Sequence, residues 1–174
     1  MNPLGRIHRI VEVLLRLLEI VPKFKDRDTS VVLIKQLVHL LTHVTSQEIQ
    51  RPLLKLISPA FEIVLDKELI YALGTEFESK AKNAHEVIVN RLQSRYDGKF
   101  DLALLDDLRP FFRAAFKHKN REIRNKTHQM WQLTFAAANI EEKDIPKDIN
   151  DLLKEILEGN NSLSVCITFE QCKF

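Results

Sequence analysis

The stretch Leu108-Arg109-Pro110-Phe111-Phe112-Arg113 is the part of the sequence that decides the fold. Its last five residues repeat an earlier motif, because Arg51-Pro52-Leu53-Leu54-Lys55 has the same order of arginine, proline, two apolar residues and a basic residue. Each copy opens or interrupts a segment whose apolar residues recur every three or four positions, which is the spacing of an amphipathic helix. A second segment of the same kind follows each copy after a short polar link. The sequence therefore predicts a repeated pair of helices.

The second copy resembles a HEAT repeat. The shared features are a proline in the first helix, a polar turn at Lys119-Asn120, and the aliphatic-arginine pair Ile123-Arg124 that opens the second helix. A unit of this size cannot bury its apolar face alone, so stacking against neighbouring units supplies its core. The resemblance implies a solenoid. The internal repeat taken by itself is equally compatible with a closed helical bundle.

The same helical spacing continues outward in both directions, and no segment before residue 160 alternates long enough to form a strand. Pro22 is predicted to stop the first helix and Gly159 to end the last. Asn120 is predicted to cap one helix, and Thr75 with Glu78 has the spacing of a capping box. We therefore predict an all-α fold, a HEAT-like α-α superhelix, or solenoid, of about seven helices. This helical array is expected to span residues 1–159 and to be a fragment of a longer one.

Residues 160–174 depart from this pattern, because they are β-branched and alternating and have no partner strand. An isolated strand is not stable in water. We interpret the segment as a poorly ordered, non-native-looking tail from a truncated or alternatively spliced reading frame. It contains both cysteines, Cys166 and Cys172, which excludes a secreted disulfide framework and favours a reducing compartment.

The overall charge points to no particular partner. The chain has 26 basic and 24 acidic residues and a net charge of +2, so no global field indicates nucleic acid or a membrane. Charged residues interrupt the apolar stretch from Leu4 to Val21 every few positions. A signal peptide or a membrane-spanning helix is therefore not expected.

The segment from Phe111 to Ala136 is similar to a repeat in the N-terminal HEAT array of the Rap-interacting factor, or Rif-one, family. The similarity is carried by the turn His118-Lys119-Asn120, then Ile123-Arg124-Asn125, an aromatic residue, and Thr134-Phe135-Ala136. It covers roughly residues 101–138 and extends back to about residue 45. His128 and Met130 depart from the family pattern.

That resemblance implies a fragment or short isoform of a much longer nuclear protein. The expected roles are telomere maintenance, replication timing and the choice of double-strand-break repair route. The expected partners are DNA, a phosphorylated p53-binding repair adaptor, and neighbouring HEAT repeats of the full-length chain. The alternative is a HEAT-type scaffold in transport or phosphatase assembly that binds proteins only.

A cluster of basic residues supplies the candidate binding site. Six basic residues and one acid lie between positions 113 and 128. Such a cluster can contact phosphates and release their counterions. The alternative is a solvated surface in which Arg124 pairs with an acid of the adjacent repeat, supplied from the acidic stretch 141–158. The cluster consists of Arg113, Lys117, Lys119, Arg121, Arg124 and Lys126.

No residue pattern predicts catalysis, a metal or a cofactor. His39 and His43 have a spacing that could hold a metal from one helix face, but they lie opposite the apolar stripe and are expected in solvent. The sequence has no glycine-rich phosphate loop and no nucleophile elbow. Trp131 is expected in the core. We therefore predict a non-enzymatic protein without metal or cofactor.

Overall fold

The computed structural model describes residues 4–138 and 140–160, and in that range the protein is all-α. The predicted tail lies outside the described residues except for Asn160, the last residue of the final helix. The α-helices are α1 (Gly5–Phe24), α2 (Arg27–His43), α3 (Gln47–Ile57), α4 (Ala60–Val64), α5 (Lys67–Leu73), α6 (Thr75–Ser94), α7 (Leu102–Asp107), α8 (Arg109–Phe116), α9 (Arg121–Leu133) and α10 (Lys147–Asn160). Two short 3-10 turns, Ala136–Ala138 and Glu142–Asp144, connect α9 to α10.

The helices form two layers. In the first layer α1 packs against α3 and α4, α4 packs against α8, and α8 packs against α10. In the second layer α2 packs against α6, and α6 packs against α9. The layers are joined within each hairpin, as where α1 meets α2 and α8 meets α9. Hairpins that contact mainly their neighbours along the chain make a solenoid-like all-α fold, as predicted.

The two copies of the Arg-Pro motif make equivalent contacts between hairpins. Arg51 Nε donates to Asp107 Oδ2 at 3.0 Å, and Arg109 Nε donates to Asp148 Oδ2 at 2.9 Å. Each arginine thus reaches an aspartate on a helix that packs against its own, since α3 packs against α7 and α8 packs against α10. The motif that occurs twice in the sequence therefore makes the same kind of stacking contact twice in the structure.

The core lies between the layers and is rich in aromatic side chains. The rings of Phe112 and Trp131 meet edge to face with centroids 5.4 Å apart, and those of Trp131 and Phe135 stack at 5.3 Å. Trp131 is only 2% exposed, which confirms its predicted place in the core.

Several helix ends differ from the prediction. Helix α1 continues past Pro22 to Phe24, because a proline in the last turn removes a single backbone hydrogen bond. Thr75 is the first residue of α6 and not its cap; Gly74, at φ +84°, ends α5 and lets α6 begin at once. Helix α10 runs past Gly159 to Asn160.

The chain also has more helices than the seven expected, ten within the described residues. The helices are divided at Ser58-Pro59, where Pro59 is expected to kink or end a helix, and at Leu108, inside a segment predicted as a single helix. Pro110 accounts for the second division, because a proline fits the first turn of a new helix, where its missing N–H needs no partner. In the part of the chain described above, no helix is long and apolar enough to cross a membrane.

Candidate functional site

The turn between α8 and α9 is the centre of the predicted basic cluster. Asn120 Oδ1 accepts a hydrogen bond from the Glu122 N–H at 2.9 Å, which confirms its predicted role as a helix cap. Arg124 Nη1 donates to the carbonyl oxygens of His118 at 2.5 Å and Lys119 at 2.7 Å. The expectation that Arg124 pairs with an acid of the adjacent repeat is therefore wrong, because its guanidinium satisfies the carbonyls of its own turn.

Two further cations of the cluster form ion pairs with the preceding hairpin. Lys126 Nζ lies 2.5 Å from Glu86 Oε1 and 2.9 Å from Glu122 Oε1, and Arg113 pairs with Glu62. The hydrogen bonds that Lys126 donates to Glu86 and, second, to Glu122 raise the pKa of its ammonium group. These two cations therefore help to join neighbouring hairpins.

The other three cations of the cluster remain available. Lys117, Lys119 and Arg121 are exposed, and no ion pair joins any of them to another described residue. All six predicted residues lie on α8, on α9 or on the turn between them, but only these three are both exposed and without a side-chain hydrogen bond or ion pair to another described residue. Three acids of the predicted stretch pair with other residues: Asp148 with Arg109, Glu142 with Lys154 and Glu141 with Lys143.

Two adjoining clefts, each of about 460 Å³, open between this turn and the preceding hairpin. Both are lined by Lys67, His118 and Lys119. The first cleft also contacts Arg113 and Lys117, which places three predicted residues on one concave surface. The remaining polar and aromatic lining consists of Glu62 and Asp66 in the first cleft and Tyr71, Thr75, Glu78 and Asn120 in the second.

Lys67 is a cleft residue that the sequence analysis did not identify. It is the first residue of α5, far from the basic cluster in sequence, and no pattern in the chain links the two. Only the stacking of the hairpins brings Lys67 to the same cleft as Lys117 and Lys119.

Two buried histidines were also not anticipated. His85 Nε2 lies 2.7 Å from Thr127 Oγ1, whose own proton is donated to the Ile123 carbonyl at 2.8 Å. The hydroxyl oxygen therefore accepts the His85 Nε2–H. Burial lowers the pKa of His85 to about 4. His118 Nδ1 accepts from the Asn120 N–H at 3.0 Å, and burial lowers the pKa of this ring as well.

Arg91 is a third buried charged group, and it serves the fold. Its guanidinium donates to the carbonyl oxygens of Leu41 and Val44, at the end of α2. Burial lowers the pKa of the Arg91 side chain. The side chain joins α6 to α2 and takes no part in the cleft.

The histidine pair on α2 is exposed, as predicted. The His39 and His43 rings stack at 4.0 Å, and His43 Nδ1 lies 2.9 Å from the His39 carbonyl oxygen. Among the residues that the structure describes, no three His, Cys, Asp or Glu side chains come close enough together to hold a metal. Cys166 and Cys172 lie outside those residues.

The chain is similar to part of the telomere-associated protein RIF1. It is 32% identical to the Mus musculus protein over 81 residues, or 47% of this chain, and 43% identical to the Homo sapiens protein over 49 residues, or 28% of this chain. It is 24% identical to the Gallus gallus protein over 148 residues, or 79% of this chain. The matches cover 3%, 2% and 6% of those relatives, so the chain spans a small part of their length. No family model and no solved structure matches.

Proposed function

We propose that this chain is a non-catalytic α-solenoid binding module of a RIF1-like, telomere-associated nuclear protein. The observation that carries the proposal is the similarity to RIF1 of three species, of which the longest match extends over 79% of the chain. The stacked hairpins support it, because such arrays offer extended surfaces for binding partners. In this proposal the hairpins are HEAT-like repeats of a superhelix, and further repeats adjoin them in the full-length protein.

The proposed biological roles are those that the Rif-one resemblance implies: telomere maintenance, replication timing and the choice of double-strand-break repair route. The proposed partners are DNA and a phosphorylated repair adaptor. The contacts are assigned to Lys117, Lys119 and Arg121, because these side chains are exposed and free of ion pairs within the described chain. Arg113, Arg124 and Lys126 hold the turn and the hairpins in place.

DNA binding is tested by fluorescence anisotropy of a labelled duplex with the whole chain, over a range of salt concentrations. If the three free cations each contact one phosphate, the affinity should fall with salt with a logarithmic slope of about 3. The triple variant Lys117→Gln, Lys119→Gln and Arg121→Gln should lose most of the affinity. A matched control removes three other exposed charges, at Lys23, Lys35 and Lys99. Equal binding by both triple variants would contradict the assignment.

The second candidate is a scaffold that binds proteins only, without nucleic acid. It is favoured by the engagement of Arg113, Arg124 and Lys126 inside the molecule, which leaves a small free charge for DNA. In that case the anisotropy of the duplex should stay unchanged at physiological salt. Binding of a phosphorylated peptide with no binding of its unphosphorylated form would instead support the adaptor as partner.

A further inference from the structure

We infer that the clefts between the α8–α9 turn and the preceding hairpin bind a compact polyphosphate, a small molecule that carries several phosphoryl groups, and that this ligand joins the two hairpins. The inference rests on the proposed function only in that Lys117 and Lys119 take part in both. The inference adds Lys67, which is not among the three residues assigned to DNA contacts.

The first argument is the placement of the free cations. Lys67 belongs to α5, and Lys117 and Lys119 belong to the turn after α8, so the ammonium groups come from two successive hairpins. All three side chains are exposed, and no ion pair joins them to other described residues. A ligand that contacts all three must span the junction between the hairpins.

The second argument is the state of the carboxylates that line the clefts. Glu62 is paired with Arg113. Asp66 Oδ1 accepts from the backbone N–H groups of Glu68 at 3.0 Å and Leu69 at 2.7 Å, where it caps α5. The charge of Glu62 is therefore balanced by Arg113, and Oδ1 of Asp66 is held by the backbone of α5. Glu78 is the remaining acid, and it lines only the second cleft.

The third argument is an unpartnered donor in the wall. His118 lines both clefts and is 7% exposed. Its Nδ1 accepts from the Asn120 N–H, so the proton of the neutral ring is on Nε2, and that nitrogen has no hydrogen-bond partner among the described residues. A buried donor without a partner is unfavourable, and an anionic oxygen that reached Nε2 from the cleft would relieve that penalty.

The fourth argument is shape. A volume of about 460 Å³ lies within the range of small-molecule pockets. Phosphates of a duplex are spread along its outer surface, and only a few of them could enter a cleft of this size. Several phosphoryl groups on one small ring or chain would place their charges close together, inside the one cleft that all three lysines line. The observations therefore favour a compact ligand over a nucleic acid for this cleft.

The test is titration calorimetry of the whole chain with inositol hexakisphosphate at fixed ionic strength, with inorganic phosphate as the single-group comparison. We expect saturable binding of the hexakisphosphate that is much tighter than that of phosphate. Lys67→Gln and Lys119→Gln should each weaken the affinity about tenfold, because each removes one charge-assisted contact. Lys35→Gln, which removes an exposed lysine on α2, should leave the affinity unchanged. The ligand should also raise the melting temperature of the unsubstituted chain, and Lys67→Gln should reduce that rise.

Three results would overturn the inference: no binding of the hexakisphosphate, binding that Lys67→Gln leaves unchanged, or equal weakening by Lys35→Gln. Its failure is distinguishable from failure of the proposed function. Arg121→Gln should weaken duplex binding and leave hexakisphosphate binding intact, whereas Lys67→Gln should do the reverse.

Discussion

Trp131 illustrates how a single side chain joins the two helices of a hairpin. It lies on α9 and contacts the rings of Phe112 and Phe116 on α8, with Phe135 stacked on its other side. A ring of this size buried between aromatic neighbours removes a large apolar surface from water. Much of the packing within this hairpin therefore depends on one residue.

Replacing Trp131 with alanine should lower the free energy of unfolding by about 3–5 kcal/mol, because it leaves a cavity that the surrounding rings cannot fill. Urea denaturation at neutral pH measures the change. Leu133→Ala is the control, since Leu133 lies on the same helix and is 64% exposed. Comparable losses in the two variants would show that Trp131 is not in the core.

His85 makes stability depend on pH. Its pKa of about 4 in the folded protein lies below the ordinary value of 6.5, because burial disfavours the charged ring. The unfolded chain therefore binds a proton more readily, and stability is lost as the pH falls from about 6.5 toward 4. We expect a loss of about 2 kcal/mol between pH 7 and pH 5 from this residue. Burial also lowers the pKa of His118 and His128, which adds loss of the same sign.

Urea midpoints at pH 7 and pH 5 check this expectation. His85→Gln keeps a donor for Thr127 but cannot titrate, so its midpoint should change less with pH. A double variant with His39→Ala and His43→Ala should be nearly as stable as the unsubstituted chain, because both rings are exposed. If His85→Gln keeps the whole pH dependence, then His85 is not its source.

At the scale of elements, the stacking of hairpins relies on charged contacts between first-layer helices. Asp107, near the end of α7, accepts from Arg51 Nε at 3.0 Å and lies 2.9 Å from Lys55 Nζ. Its side chain is 9% exposed, whereas that of Asp106 next to it is 71% exposed. The two adjacent aspartates therefore have different roles, which only the stacking of α3 on α7 distinguishes.

Asp107→Ala should destabilise the protein by about 1–3 kcal/mol, because it removes hydrogen bonds to two charged partners from a mostly buried position. Asp106→Ala should change stability by less than about 0.5 kcal/mol, as is usual for an exposed side chain. Thermal and urea unfolding of both variants measure the difference. Equal effects of the two substitutions would contradict the proposed role of the motif in stacking.

At the scale of the whole molecule, each hairpin is stabilised mainly by its neighbours. Helices α6 and α8 contact hairpins on both sides, whereas α1 leaves a stripe of apolar side chains exposed. The stripe consists of Ile10, Val13, Leu17, Ile20 and Phe24, exposed by 40% to 73%. A stack with this arrangement is not uniformly stable, because a helix that has neighbours on one side alone unfolds locally more easily than a helix packed on both sides.

Amide hydrogen exchange should therefore be slowest in α6 and α8 and faster in α1. The exchange should be measured at pH 7, where His85 is neutral and its protonation does not destabilise the protein. Uniform protection across all helices would indicate one cooperative unit and would contradict the nearest-neighbour description of this stack.

The sequence by itself determined the features that depend on residues a few positions apart. Helical periodicity, the Asn120 cap, the burial of Trp131 and the exposure of His39 and His43 were all predicted, because a helix turn and its cap involve only neighbouring residues. The helix ends at Pro22 and Thr75 were predicted wrongly, since packing of the whole helix outweighs a single local signal.

Only the tertiary structure decided which charges are free. Lys126 pairs with Glu86, which is 40 positions away in the sequence, and Arg113 pairs with Glu62, which is 51 positions away. Whether these two positive charges are neutralised therefore depends on how the hairpins stack. The same stacking buries His85 against Thr127 and brings Lys67 to the cleft beside Lys119. Apolar periodicity specifies which face of a helix is buried, but it does not specify which polar residue of a distant helix lies opposite. The polar residue that lies opposite is determined by the register between the hairpins, and the packing of the complete core determines that register.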